Sequence, residues 1–197
     1  SILTGRYPAR LGLTDFIPGH WRPFEKLVVP PNASHLPPDA PTVAGELKKR
    51  GYATGCFGKW HLGWGKQHGP QAAGFDVAGG ARRKDRDKGV RSLTDQAIRF
   101  MTDHKDRPFF CFLSHHTVHI ALEAPKELVD KHRKRLEAMD PKPVQRNVEY
   151  AAMIEHLDAS VARLLDALEA LEIAERTLVI FFSDNGGLVR KFTGDGP

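Results

Sequence analysis

Residues 177–187 read Thr-Leu-Val-Ile-Phe-Phe-Ser-Asp-Asn-Gly-Gly. An apolar run, Thr177 to Phe182, stops abruptly at a carboxylate, an amide and two glycines. Such a run reads as a buried strand of the kind found in parallel sheets, and the glycines let the backbone turn sharply away from its end. A strand of this kind delivers side chains to a fixed place. Asp184 and Asn185 offer oxygens on the ligand side, which suits a hard cation such as Ca²⁺ or Mg²⁺. Taken alone, the same residues also read as a strand followed by an ordinary Asn-Gly turn.

Working back from this run, Ile154, Leu157, Val161, Leu164, Leu165, Leu168 and Leu171 recur at spacings of three and four. That spacing predicts a long helix over about 146–171, its apolar stripe packed in the core. Phe109 to Leu113 is a compact aromatic run behind the breaker Arg107-Pro108 and predicts a strand. Leu93, Ala97, Ile98 and Met101 share one helical face. Residues 52–57 predict a short strand, preceded by a short helix that starts at the N-cap candidate Thr42 and stops at Gly51. The Pro-rich stretch 14–40 and the Gly-rich stretch 64–91 read as loops.

The alternation of helix and strand predicts an α/β fold: a largely parallel, mixed sheet with helices on both faces. Polar residues follow each strand: Lys59 and His61 after the first, His115, His116 and His119 after the second, Asp184 and Asn185 after the third. Open α/β sheets bind ligands outside the carboxyl ends of their strands, so these groups are expected to gather at one rim. Lys59 supplies a compact cation with three donors, and His61 can move a proton near neutral pH. Each also reads as an ordinary surface residue when taken without its neighbours. The histidines after the second strand have no fourth ligand at zinc-site spacing.

The chain has 197 residues, 41% hydrophobic and 27% charged, enough to bury a sizeable core. No apolar run approaches the roughly 20 residues that cross a bilayer, and no signal peptide is visible. Cys56 and Cys111 each sit in an apolar stretch and read as small buried hydrophobes rather than a disulfide. The net charge is +5, with much of the excess in the run from Ala81 to Arg91. No aromatic residue interleaves that run, so it reads as a solvated loop, and no nucleic-acid partner is expected. The chain opens inside a motif without Met and ends in a loop-like stretch. It is expected to be part of a single catalytic domain whose start and remainder lie outside residues 1–197.

Gly58-Lys-Trp-His-Leu-Gly63, Ser1-Ile-Leu-Thr-Gly-Arg-Tyr-Pro-Ala-Arg-Leu-Gly-Leu13 and Ser183-Asp-Asn-Gly-Gly187 together resemble three blocks of the formylglycine-dependent sulfatases, a family of the alkaline phosphatase superfamily. The blocks stand in the family's order, and the resemblance runs over nearly the whole chain. It implies an alkaline phosphatase-like fold and an enzyme that hydrolyses a sulfate monoester to an alcohol and sulfate. It implies that Lys59 binds and neutralises the sulfate and that His61 donates a hydrogen bond or moves a proton. His115-His-Thr-Val-His119 resembles the family's histidine block, which implies that His119 contacts the sulfate and assists the leaving group, with His116 the other candidate. Asp184 and Asn185 look like half of the family's cation site, usually Ca²⁺, with Mg²⁺ the other hard cation. Two more aspartates are expected ahead of Ser1.

The nucleophile implied is a formylglycine made from a Cys or Ser six positions upstream of Ser1, which calls for a formylglycine-generating maturation enzyme as partner. The residues 1–197 alone are then expected to be inactive. A further family lysine is expected beyond Pro197, since the context of Lys191 does not match. Family members are often exported, periplasmic or lysosomal, and the sequence itself names no compartment. Three other readings remain: a phosphodiesterase or phosphonate hydrolase of the same superfamily, a non-catalytic descendant that binds anionic sugars, and, against the expectation above, a basic nucleic-acid binder using residues 82–91.

Overall fold

The computed structural model describes residues 1–19, 23–81, 86–141 and 143–186. It divides into two compact units, Ser1–Arg83 with Arg91–His115, and Lys84–Val90 with His116–Pro197. Arg82, Arg83 and Lys84 of the basic run lie outside the described residues, as do Gly187 and Lys191.

The first unit is built on a parallel sheet of three strands, with β1 (Ala53–Gly58) between β2 (Val77–Gly79) and β3 (Phe109–Ser114). Side chains alternate across a strand, so β1 feeds two faces. On one face Cys56 packs with Leu3, Phe75 and Ala44 of α1 (Val43–Lys49), against Phe110 and Phe112 of β3. On the other face Phe57 and Phe109 meet Phe100 of α2 (Val90–Asp103), with ring centroids 5.6 and 6.2 Å apart. Helices therefore cover both faces, as the alternation of elements predicts. The N-cap is also where the sequence places it: Thr42 Oγ1 accepts the Gly45 N–H at 3.0 Å.

Cys56 pairs with Phe112 and Cys111 with Gly55 in the β1–β3 register, so the two sulfurs point to opposite faces. Both cysteines are free. Burial pushes each thiol up to about 12, and for Cys111 the nearby Cys56 adds to the effect.

β2 is only three residues long, and a side chain prepares its place. Asp76, just before it, accepts from the Thr54 N–H at 3.0 Å and from Thr54 Oγ1 at 2.9 Å, while its other oxygen meets Lys48 of α1 at 2.7 Å. Thr54 is fully buried, so these bonds satisfy donors that water cannot reach. The Lys48 hydrogen bond, then those from Thr54, hold the Asp76 carboxyl below its ordinary value of 3.8 despite some desolvation. A lowered carboxyl stabilises the fold above its unfolded value, and that stability is lost as pH falls through the native value. Asp76→Ala is expected to cost about 1–3 kcal/mol in urea melts at neutral pH, because the buried Thr54 N–H loses its acceptor while the Thr54 hydroxyl keeps Gly74 O. The difference from wild type should shrink below the ordinary value of 3.8, and a constant difference would refute the assignment.

The second unit centres on two helices, α3 (Lys126–Ala138) and α4 (Val148–Ala170). Asn147 caps α4 by accepting the Tyr150 N–H at 2.9 Å. Glu155 of α4 joins Lys131 and His132 of α3 at 2.6 and 2.8 Å. His156, nearly buried, reaches Asp87 at 2.9 Å and ties the 86–89 turn to α4. The expected strand over 177–182 is not formed: residues 177–183 carry no regular pairing, and Leu178, Ile180 and Phe181 are exposed. High β-propensity specifies a strand only where a neighbouring strand offers its hydrogen-bonding edge. Among the described residues the sheet has three strands, and this segment is not one of them.

Candidate functional site

The site begins where β1 ends. Gly58, at φ +109°, lies opposite Ser114 in the register, and the Lys59 N–H donates to Ser114 O at 2.7 Å. The carboxyl ends of β1 and β3 are thereby locked together. Lys59 and His61 leave one strand at the edge where His115 leaves the other.

Trp60, between them, is the anchor. Its Nε1–H donates to His68 O at 2.8 Å, and its ring stands edge-on to the buried Phe75 with centroids 6.2 Å apart. Fixing Trp60 fixes both neighbours. Lys59 is half-buried and His61 is exposed. The His61 Nε2–H donates to Ile17 O at 2.5 Å. The neutral ring therefore carries its lone pair on Nδ1, and only the imidazolium offers a second N–H. Phe16 and Trp64 flank the imidazole, with ring centroids 6.1 and 6.4 Å away.

Sequence reasoning reads 14–40 as a plain surface loop and misses what pins it. Asn32 Oδ1 accepts from the Thr14 and Asp15 N–H groups at 2.9 and 3.1 Å, and its Nδ2 donates to Phe16 O at 3.0 Å. Leu11, Leu13, Ile17 and Leu36 form a small core beneath. The available signal was an isolated Asn in a Pro-rich stretch, which is too common to decide anything.

In the second unit, His116 to His119 form a tight turn, with the His119 N–H on His116 O at 2.9 Å. His119 is exposed, and its Nδ1–H donates to Ile120 O at 2.7 Å, which leaves Nε2 to face a ligand. Asp184 and Asn185 follow the unpaired 177–183 segment and are exposed. Asn185 donates through Nδ2 to Gly186 O at 2.9 Å, and Ser183 Oγ donates to Asn185 O at 2.6 Å. Neither bond uses the Asn185 amide oxygen. A carboxylate and an amide oxygen on adjacent residues fit a hard cation as part of an oxygen shell. Among the described residues no group of three or more His, Cys, Asp or Glu is placed to hold a metal. The structure thus brings Lys59, His61 and His115 to one sheet edge, while His119 and the Asp184–Asn185 pair are described within the second unit.

The Sulfatase family model matches residues 1–196. The chain belongs to the sulfatase family. It is 37% identical to a Sulfatase of Formosa agariphila over 108 residues, 50% of this chain and 19% of that protein. It is 27% identical to an Arylsulfatase of Hemicentrotus pulcherrimus over 226 residues, 94% of this chain and 37% of that protein. It is 27% identical to human Arylsulfatase A over 232 residues, 94% of this chain and 41% of that protein. The chain thus spans about two fifths or less of these sulfatases' length. The last two alignments are longer than the chain itself, so those relatives carry stretches that it lacks.

Among solved structures, Ps i-CgsB in complex with k-i-k-neocarrahexaose superimposes with a TM-score of 0.65 at 22% identity, covering 87% of this chain and 44% of that one. A structure from work on glycosaminoglycan metabolism in Bacteroides thetaiotaomicron gives 0.63 at 17%, covering 87% and 48%. At these identities the likeness is one of fold, and it bears out the α/β, alkaline phosphatase-like expectation.

Proposed function

We propose that the chain forms part of a sulfuric ester hydrolase that cleaves a sulfate monoester to an alcohol and sulfate, and that both units belong to one catalytic domain. The observation that carries this reading is membership of the sulfatase family together with the Lys59–His61 block at a strand end. A formylglycine, made by a maturation enzyme, would supply the nucleophile, and a Ca²⁺ held in part by Asp184 and Asn185 would supply positive charge. Every other part falls to this chain's own side chains. Lys59 sets an ammonium against a sulfuryl oxygen, where preorganised charge outweighs mobile water. His61, tethered through Nε2 to Ile17 O, presents Nδ1 to the substrate. His119, tethered through Nδ1, presents Nε2, and its protonated form gives that proton to the departing alkoxide.

The test compares an aryl sulfate with an aryl phosphate diester on the intact protein. The sulfate is expected to be the better substrate, and preference for the diester would overturn the reading in favour of a phosphodiesterase. Lys59→Ala is expected to lower kcat/KM on the sulfate by about 10²–10³, the scale of losing one oxyanion donor. Because the Lys59 side chain lies at the strand's exit, its thermal midpoint should stay near wild type.

A further inference from the structure

We infer that Phe16, His61 and Trp64 form a stacking platform for a sugar ring, so that the substrate is a carbohydrate sulfate; this rests on the reading that the Lys59–His61 block handles a sulfate ester.

Trp64 is 58% exposed and Phe16 is 47% exposed. Trp60, four residues before Trp64, shows that this segment can place an indole inward against Phe75. Trp64 is instead turned out beside the imidazole of His61, edge to face. Large aromatic side chains facing water next to a reactive group are a feature of binding surfaces, where one flat face gives contact area at low entropy cost.

Two of the three rings, those of Phe16 and His61, sit on a fixed stretch of backbone. Phe16 is held through its carbonyl by Asn32, the adjacent Ile17 is nearly fully buried, and the Ile17 carbonyl in turn accepts from His61. A preorganised surface loses little freedom when a ligand arrives.

The platform is also open. Phe16 and Trp64 each keep about half of their surface in water, and His61 is exposed between them. Wholly apolar groups, such as a bare aryl or a steroid, bind best in enclosed apolar cavities that bury most of their surface. A pyranose is different. It presents a patch of C–H groups on one face and hydroxyls around its rim. The C–H face meets the negative face of an aromatic ring, and the hydroxyls remain in water. An exposed set of rings beside the sulfate-handling residues suits that shape better than it suits an apolar leaving group.

The experiment uses the intact protein with 4-nitrophenyl sulfate and with monosulfated galactose and N-acetylhexosamine isomers, in wild type, Trp64→Ala and Trp64→Tyr. Trp64→Ala is expected to lower the ratio of kcat/KM on the best sugar sulfate to that on the aryl sulfate by roughly tenfold, with the loss in KM. Trp64→Tyr should recover most of it. A ratio unchanged within about twofold, or a loss in kcat alone, overturns the platform. Calorimetric binding of the same sugar sulfates gives a readout without turnover: Trp64→Ala should weaken it roughly tenfold, and equal affinities overturn the inference whatever is hydrolysed. If the aryl sulfate is cleaved and no sugar sulfate binds, the platform falls while the sulfatase reading stands. If neither ester is cleaved yet the sugar sulfates bind through Trp64, the platform stands and the hydrolase reading falls.

Discussion

Alanine in place of Gly58 is expected to cost the protein at least about 3 kcal/mol and to take activity down with it. Two separate penalties meet at this position. The φ of +109° is one that side-chain-bearing residues rarely adopt. A Cβ built there would also run into the Ser114 carbonyl, with the Ser114 carbon only 2.8 Å away. The obstacle is the backbone of a paired strand, so no rotamer change relieves it. Either β1 and β3 separate at their carboxyl ends or Gly58 abandons its turn. Both outcomes break the Lys59 N–H bond to Ser114 O and release the chain that carries Lys59, Trp60 and His61. Gly80→Ala is the control, because nothing lies within 4 Å of its added Cβ and its φ is ordinary. Urea melts of the two variants should differ by several kcal/mol, and equal midpoints would show that the strand ends are not clamped as described.

Asp184→Ala is expected to reduce turnover by at least about 10²-fold while leaving the melting midpoint near wild type, because an exposed side chain contributes little to the core. The loss should come from the cation. Removing the carboxylate takes away the one formal negative charge of the Asp184–Asn185 pair, and an amide alone is a weak ligand for a hard ion. Excess Ca²⁺ should therefore restore little, and the Ca²⁺ content of the purified variant should fall. Asp184→Asn keeps the shape and an oxygen but not the charge, so it separates charge from geometry. Turnover at the wild-type level in Asp184→Ala would remove this residue from the proposed cation site altogether.

Parts of this structure could be read from short stretches of sequence. Helix α4 shows in its three- and four-residue spacing, and Thr42 announces the start of α1 by its side-chain type. The strands β1 and β3 were legible because an aromatic or apolar run bounded by breakers has few alternatives. Two elements escaped. β2 is three residues, too few for any period, and exists because the Asp76 carboxylate pins its start to Thr54. Helix α3 is rich in charge with no fully buried residue, yet Leu128, Val129, His132 and Leu136 do recur at helical spacing and were the missed signal. The apolar run 177–182 went the other way: its composition reads as a strand, and the described structure gives it no partner.

The same division holds for the site. The block Gly58-Lys-Trp-His was legible through its resemblance to a sulfatase block standing after a predicted strand; its residue types alone also read as ordinary surface groups. The roles of its members were not. That Trp60 anchors, that Nε2 of His61 is committed to Ile17 O across 44 positions, and that Phe16 and Trp64 flank that ring depend on contacts between distant residues. Sequence by itself determined α1, β1, α2, β3 and α4 in their order, the α/β class, the family and the residue types that follow β1 and β3, because periodicity, breakers and caps act over a few neighbours. Only the tertiary structure decided which ring nitrogen of His61 is engaged, how β1 and β3 are clamped, and which aromatic residues face water. These are settled by hydrogen bonds and packing between segments that no local pattern brings together.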